Sequence, residues 1–187
     1  EYSQQMGQYV PGVVTGKPVG AGGSLGRNSA TGYGVVVCIR ETMKRLGYNP
    51  KGMTASIQGF GNVGQYSATN FVEMLGGIVK CVSCWDRNDK KSYTYYKKEG
   101  VDPRFLMSIT DQYGMINKGK AQEAGYEILD GDAWLSMDVD VLIPAALEGQ
   151  IRADNVEKIS PKLKILAEAA NGPTMTEADE VIKNRGY

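Results

Sequence analysis

The stretch that most restricts the fold is MTASIQGFGNVG, residues 53–64. A short run able to form a strand passes there directly into Gly59-Phe60-Gly61-Asn62-Val63-Gly64. As a bare string GxGxxG is weak in a chain with 24 glycines. Its context makes it specific, because it follows a strand candidate and opens a helix candidate. Val63, Tyr66, Asn70, Phe71, Met74 and Leu75 suit that helix, and Gly76-Gly77 ends it. In such a turn Gly59 permits the tight bend, Gly61 lets the backbone approach a pyrophosphate, and Gly64 allows helix to pack closely on strand. The helix start offers unpaired N–H groups and about half a positive charge to phosphates. Phe60, Asn62 and Val63 complete the set of candidate residues in the turn. The alternative is a plain strand-to-helix turn with no ligand.

A dinucleotide site of this kind calls for an acid about 20 residues on, at the end of the next strand, to accept from the adenosine ribose hydroxyls. IVKCVSCW, residues 78–85, reads as that strand, and Asp86 follows it. An acid there favours NAD, since it repels the extra phosphate of NADP. Two neighbours leave this open. Arg87 could accommodate a 2′-phosphate, and Asp89 is a second candidate acid if the strand runs longer.

The rest of the chain alternates helix and strand patterns. Residues 1–28 lack sustained periodicity and carry Gly and Pro. A helix is expected from 29–31 to Leu46, with Val35, Ile39, Met43 and Leu46 on one face and Gly47 as its stop. Residues 86–100 are polar, with Tyr93, Tyr95 and Tyr96 among lysines, and read as a solvated excursion. Asp102-Pro103 predicts a helix of about ten residues. Strands are expected at 126–129, in the apolar run 139–147 with its end at Pro144, and at 163–170, with short helices around Trp134 and over 153–159. Thr174 and Glu177 have capping-box spacing, so a last helix is expected from there to Asn184. The fold class is α/β: a Rossmann-like open, mostly parallel sheet with helices on both faces. The division expected is an irregular lead-in over 1–28 and one dinucleotide-binding domain over 29–187.

Composition narrows the function. Lys+Arg and Asp+Glu are both 21, so there is no basic field to hold nucleic acid. No apolar run approaches about 18 residues, which argues against a membrane span. The opening residues have no basic, apolar leader, and three cysteines suit a reducing compartment, so the cytoplasm is expected. Cys81 and Cys84 form a CxxC, but a zinc site needs four ligands and the chain has no histidine. Core packing in a strand is the better account, and no metal is expected. The lack of histidine also excludes Ser-His-Asp or Cys-His machinery.

Several segments resemble the glutamate dehydrogenases among the amino-acid dehydrogenases. They are TGKPVGAGGSLGRNSATGYGV at 15–35, QGFGNVG at 58–64, IPAALEGQI at 143–151 and AEAANGPTMTEAD at 167–179, in the expected order over nearly the whole chain. The resemblance implies that Thr31 bonds the nicotinamide amide or its ribose and that Asn62 contacts the cofactor near the pyrophosphate. It implies that Ala145 and Ala146 line the nicotinamide-ribose wall, and that Asn171 bonds the carboxamide or ribose. Thr31 as a helix cap, Asn171 as a turn former and the alanines as packing are the alternatives. Tyr33 stands where the family often has Arg, and Gly149 where it often has Asn.

The resemblance further implies reversible oxidative deamination of L-glutamate to 2-oxoglutarate and ammonia. It implies a separate substrate-binding domain holding the amino acid and the catalytic lysine and aspartate, whose motifs do not occur here. No catalytic residue is therefore expected on this chain, which should hold NAD without turnover. A homo-oligomeric parent is implied, and a monomer or weak dimer for this chain alone. A leucine- or phenylalanine-type dehydrogenase, a nucleotide-sensing module and a methyltransferase are the rival readings.

Overall fold

The computed structural model describes residues 1–187. The lead-in holds a one-turn helix, α1 (Tyr2–Gln5), and two 3-10 turns, and no residue of 1–26 is buried. The first long helix, α2, spans Arg27–Arg45 and buries Gly32, Val36, Ile39 and Met43 on one face; of the predicted stripe Ile39 and Met43 are buried, Val35 is partly buried and Leu46 is exposed. It begins two to four residues earlier than expected, after Gly26 in the left-handed region. Thr31 therefore lies inside the helix and does not cap it.

Strand β1 (Thr54–Gln58) is buried from Ala55 onward and leads into α3 (Asn62–Leu75). Gly32 of α2 sits so close to α3 that a Cβ there would stand 2.7 Å from the Ser67 amide nitrogen. Strand β2 (Ile78–Asp86) runs parallel to β1 with a bulge opposite Ala55/Ser56. The bulge places Val79 and Val82 in the same core despite their odd spacing.

Residues 86–100 correct the expectation of a solvated excursion. The chain turns back as β3 (Lys91–Tyr96), antiparallel to β2 in the register Asp86↔Lys91 through Cys81↔Tyr96. Tyr93, Thr94, Tyr95 and Tyr96 are good strand formers whose polar tips made them read as surface. Thr94 and Tyr95 are buried, and the Tyr95 hydroxyl donates to the Ile116 carbonyl at 3.4 Å.

Asp102 caps α4 (Pro103–Ser108) as the Asp-Pro pair predicted, accepting from the Phe105 N–H at 3.1 Å. That helix has six residues rather than ten, and a second short helix, α5 (Lys118–Glu123), follows with Asn117 as its cap. Strand β4 (Glu127–Asp130) pairs antiparallel with β3. Strands β5 (Val141–Pro144) and β6 (Ile165–Leu166) are shorter than their apolar runs. Between them, 153–159 forms a 3-10 turn over Val156–Lys158 instead of a helix. The last helix, α6 (Thr176–Arg185), starts after Met175 with no side-chain cap. The Thr174–Glu177 box does not form, because Thr174 is taken up in a bridge to Ile151.

The sheet order is β4-β3-β2-β1-β5-β6, with the four strands β2, β1, β5 and β6 parallel and β3 and β4 added antiparallel, each to its neighbour, at one edge. One face carries α2 and α3 over Ala55, Ile57, Val141 and Ile143; the other carries Trp134, Val156 and α6 over Cys81 and Leu142. Cys81 and Cys84 thus belong to opposite cores, and burial pushes the Cys81 thiol up to about 12. The two thiols cannot converge on one ion. No helix is long and apolar enough to cross a membrane.

Candidate cofactor-binding site

The chain leaves β1 through α3 to reach β2 on one side, while β5 pairs with β1 on the other. Connections that diverge in this way open a crevice at the carboxyl ends of the strands, where ligands of open α/β sheets bind. A cleft of about 540 Å³ lies there. Its walls are the turn from Gly59 to Val63, Ser83 to Trp85 of β2, and Ala145 to Leu147 after β5.

Each glycine of the turn answers a different constraint. Gly59 has φ +84°, a conformation L side chains rarely adopt, and a Cβ would press on Ala146 at 3.0 Å. At Gly64 a Cβ would stand 2.0 Å from the Gly59 carbonyl oxygen, so helix and strand could not approach as they do. Gly61 is ordinary by comparison, with φ −78° and no atom within 4 Å of an added Cβ. Nothing in the protein requires glycine at 61, and the open space above it is where a pyrophosphate would approach. No side chain caps α3, so its first N–H groups remain for an anion. Together the tight bend, the close packing and the open middle position fit a dinucleotide.

Two groups escaped sequence reasoning. The Ser83 hydroxyl accepts from the Gly59 N–H at 3.1 Å, tying β2 to the turn. Gln58 donates to Gln150 Oε1 at 2.6 Å, while its own Oε1 is buried in the cleft wall with no partner. That unmet acceptor is suited to an N–H or O–H donor on a bound molecule. A glutamine ending a buried strand was the available signal.

Asp86 stands at the predicted place, the last residue of β2, and is buried. Its Oδ1 accepts the N–H groups of Asn88 and Asp89 at 2.8 and 3.1 Å, closing the β2–β3 turn. Oδ2 lies 3.8 Å from Lys118 Nζ. Asp89 pairs with the same lysine, whose bond to that carboxylate pushes its pKa up to about 12. Neither acid lines the cleft, whereas Arg87 does.

Ala145 and Ala146 are in the cleft wall, and the Ala145 N–H donates to the Gln58 carbonyl at 2.9 Å. Asn171 is exposed outside the cleft lining, in a segment tied to β5 through the Ala169 and Ala170 N–H groups, both 3.0 Å from the Pro144 carbonyl. Thr31 is also exposed and outside the lining, with Arg27 Nη1 at 3.4 Å from its hydroxyl. Gly149 has φ +63°, in the left-handed region that asparagine tolerates best after glycine, so its exchange with the family's Asn preserves the backbone.

A parallel-centred sheet with a glycine turn at its switch point defines the class, a Rossmann-like α/β domain. The chain belongs to the Glutamate/Leucine/Phenylalanine/Valine dehydrogenase family, which matches residues 22–187. It is 43% identical to the NAD-specific glutamate dehydrogenase of Clostridioides difficile over 100% of this chain and 42% of that protein. Identity to the glutamate dehydrogenase of Thermotoga maritima is 44%, over 99% of this chain and 42% of that protein. The crystal structure of glutamate dehydrogenase from Peptoniphilus asaccharolyticus matches with a TM-score of 0.71 and 37% identity, over 99% of this chain and 40% of that one. The chain thus spans about two fifths of the length of these relatives.

Proposed function

We propose that this chain is the cofactor-binding part of an NAD-dependent glutamate dehydrogenase. The observation that carries the reading is the turn itself: Gly59 and Gly64 are demanded by backbone and packing, and Gly61 is left open toward the cleft. The names of the relatives support NAD and glutamate. In this reading Gly59, Phe60, Gly61, Asn62, Val63 and Gly64 hold the pyrophosphate at the start of α3. Ala145 and Ala146 leave room for a flat ring beside β5, and Gln58 Oε1 accepts from the bound molecule. Thr31 and Asn171, both outside the cleft lining, would meet the nicotinamide end after a shift of their segments. Asp86 serves the adenosine end by fixing the β2–β3 turn.

Bound there, NAD supplies the hydride acceptor at its nicotinamide ring. This chain's residues orient that ring and wall off water from one side. The amino acid and its acid–base groups come from a second domain that closes over the cleft. The parent is a cytoplasmic homo-oligomer in this proposal, and the chain alone is a monomer or weak dimer. Titration with NADH and S-adenosylmethionine, followed by assay with NAD and glutamate, tests the reading. Binding of NADH without turnover is expected. Preference for S-adenosylmethionine would remove the dehydrogenase reading, and robust turnover would remove the division of labour.

A further inference from the structure

Asn171 is the one asparagine of the chain that is followed by glycine. Asn171 and Gly172 are both exposed, and they link two anchored stretches. On one side the Ala169 and Ala170 N–H groups donate to the Pro144 carbonyl at 3.0 Å. On the other side the Gly172 carbonyl accepts from the Gly149 N–H at 3.0 Å, and the Pro173 carbonyl accepts from Gln150 and Ile151 at 2.7 and 2.9 Å. The link itself is unrestrained: neither the Asn171 side-chain amide nor the Gly172 N–H makes a hydrogen bond. Other asparagine amides are engaged. Asn117 accepts from the Lys120 N–H at 3.0 Å, while Asn155 accepts from the Arg152 N–H at 2.7 Å and donates to the Gln150 carbonyl at 2.9 Å. Asn28, Asn62 and Asn70 lie in α2 and α3, where the helix fixes the backbone.

We propose that Asn171-Gly172 is a site of spontaneous covalent modification, at which the asparagine converts to aspartate and isoaspartate. The Gly172 backbone nitrogen attacks Asn171 Cγ and forms a C–N bond with it. The bond from Cγ to the side-chain nitrogen breaks, and that nitrogen leaves as ammonia, carrying the proton that Gly172 gives up. Water then opens the succinimide ring at either carbonyl, which yields aspartate or isoaspartate. Water is the only co-reactant. The attack gains from being intramolecular. Glycine favours it, because no Cβ shields the nitrogen. Gly172 has φ +58° with no atom within 4 Å of an added Cβ, so the backbone has room to turn. The product carboxylate only accepts hydrogen bonds, where the amide both donates and accepts. The formally neutral chain gains a negative charge. In isoaspartate the main chain runs through Cβ, which lengthens the span between the ties to Pro144 and Gly149.

Ageing of the whole chain at neutral and at alkaline pH tests this. Ion exchange follows the acidic form, and peptide mass mapping after digestion in mild acid locates the change. Asn171 is expected to convert at least about tenfold faster than any other asparagine. Conversion should quicken at alkaline pH, where more of the attacking nitrogen is deprotonated. Gly172→Ala is expected to slow it by at least about tenfold, with thermal midpoints reporting whether the variant is folded. The guanidinium-unfolded chain gives the rate of an unrestrained link, and the folded rate is expected within about tenfold of it. Retention of the Asn171 amide in the aged protein overturns the inference, as does earlier conversion of another asparagine. A folded rate more than about tenfold below the unfolded one also overturns it, because the fold would then restrain the link. An unchanged rate in folded Gly172→Ala does the same, and the wild-type measurements stand as a test without the variant.

Discussion

At the scale of single residues, the three glycines of the turn do not share one reason for being glycine. Gly64 is held by contact, since a Cβ there would lie 2.0 Å from a backbone oxygen. Gly61→Ala adds a methyl to open space on an ordinary backbone, with φ −78°. The two substitutions should therefore separate fold from binding. Gly64→Ala is expected to destabilise by about 1–3 kcal/mol or more, because strand and helix must part to admit the methyl. Gly61→Ala should leave stability within about 0.5 kcal/mol and weaken NADH binding about tenfold or more. Denaturant melts and NADH titrations on both variants check this, and an equal loss of stability in the two would contradict it. Asp86 teaches the complementary lesson. Its position was legible from the motif, but the direction of its carboxylate depended on the β2–β3 turn.

At the scale of elements, the starts of β1, β5 and β6 are tied by one carboxylate. Asp140 Oδ2 accepts from the Thr54 N–H at 2.8 Å and its hydroxyl at 2.9 Å, and Lys164 Nζ lies 2.8 Å from Oδ1. Burial pushes this carboxyl up, but the bonds from Lys164 and Thr54 outweigh it and hold the group below the ordinary aspartate value. A depressed folded value means stability that is complete above the unfolded carboxylate pKa of about 3.9 and fades as pH falls through the lower folded value. Asp140→Ala is expected to cost about 1–2 kcal/mol at pH 7. Its difference from wild type should shrink in acid melts below the folded value, and a pH-independent difference would contradict the mechanism. Elements also show where periodicity fails. β3 was hidden because tyrosine and threonine suit a strand yet carry polar tips. β5 ends at Pro144 as expected but starts later than its run, and 163–170 overstates β6, because residues beyond the ladder are buried too, as Val139 and Leu163 are.

At the scale of the whole molecule, the sheet closes a core on each face while residues 1–26 bury nothing. Removal of that lead-in should shift the thermal midpoint by less than about 3 °C, since about 1 kcal/mol corresponds to 2–4 °C for a domain of this size. Chymotrypsin should cut after Tyr9, which is 74% exposed, before it reaches the sheet, and first cleavage within 54–144 would contradict this. The amino-acid sequence alone determined the α/β class, the strand–turn–helix around 59–64, the presence of α2 and α3, and the family resemblance; of the α3 face it placed Phe71 and Leu75 but missed Ser67, Ala68 and Thr69. These are encoded in neighbours along the chain: glycine spacing, helical stripes and buried runs. Tertiary structure decided the rest. Pairing with β2 across a tight turn and with the distant β4 made 91–96 a strand, and the bridge between Ile151 and Thr174 moved the start of α6. The turn after β2 folded Asp86 inward and left Arg87, held by a distant loop, at the rim of the cleft. Charge can be read from a sequence, but the direction in which a charge faces depends on the hydrogen bonds that compete for it.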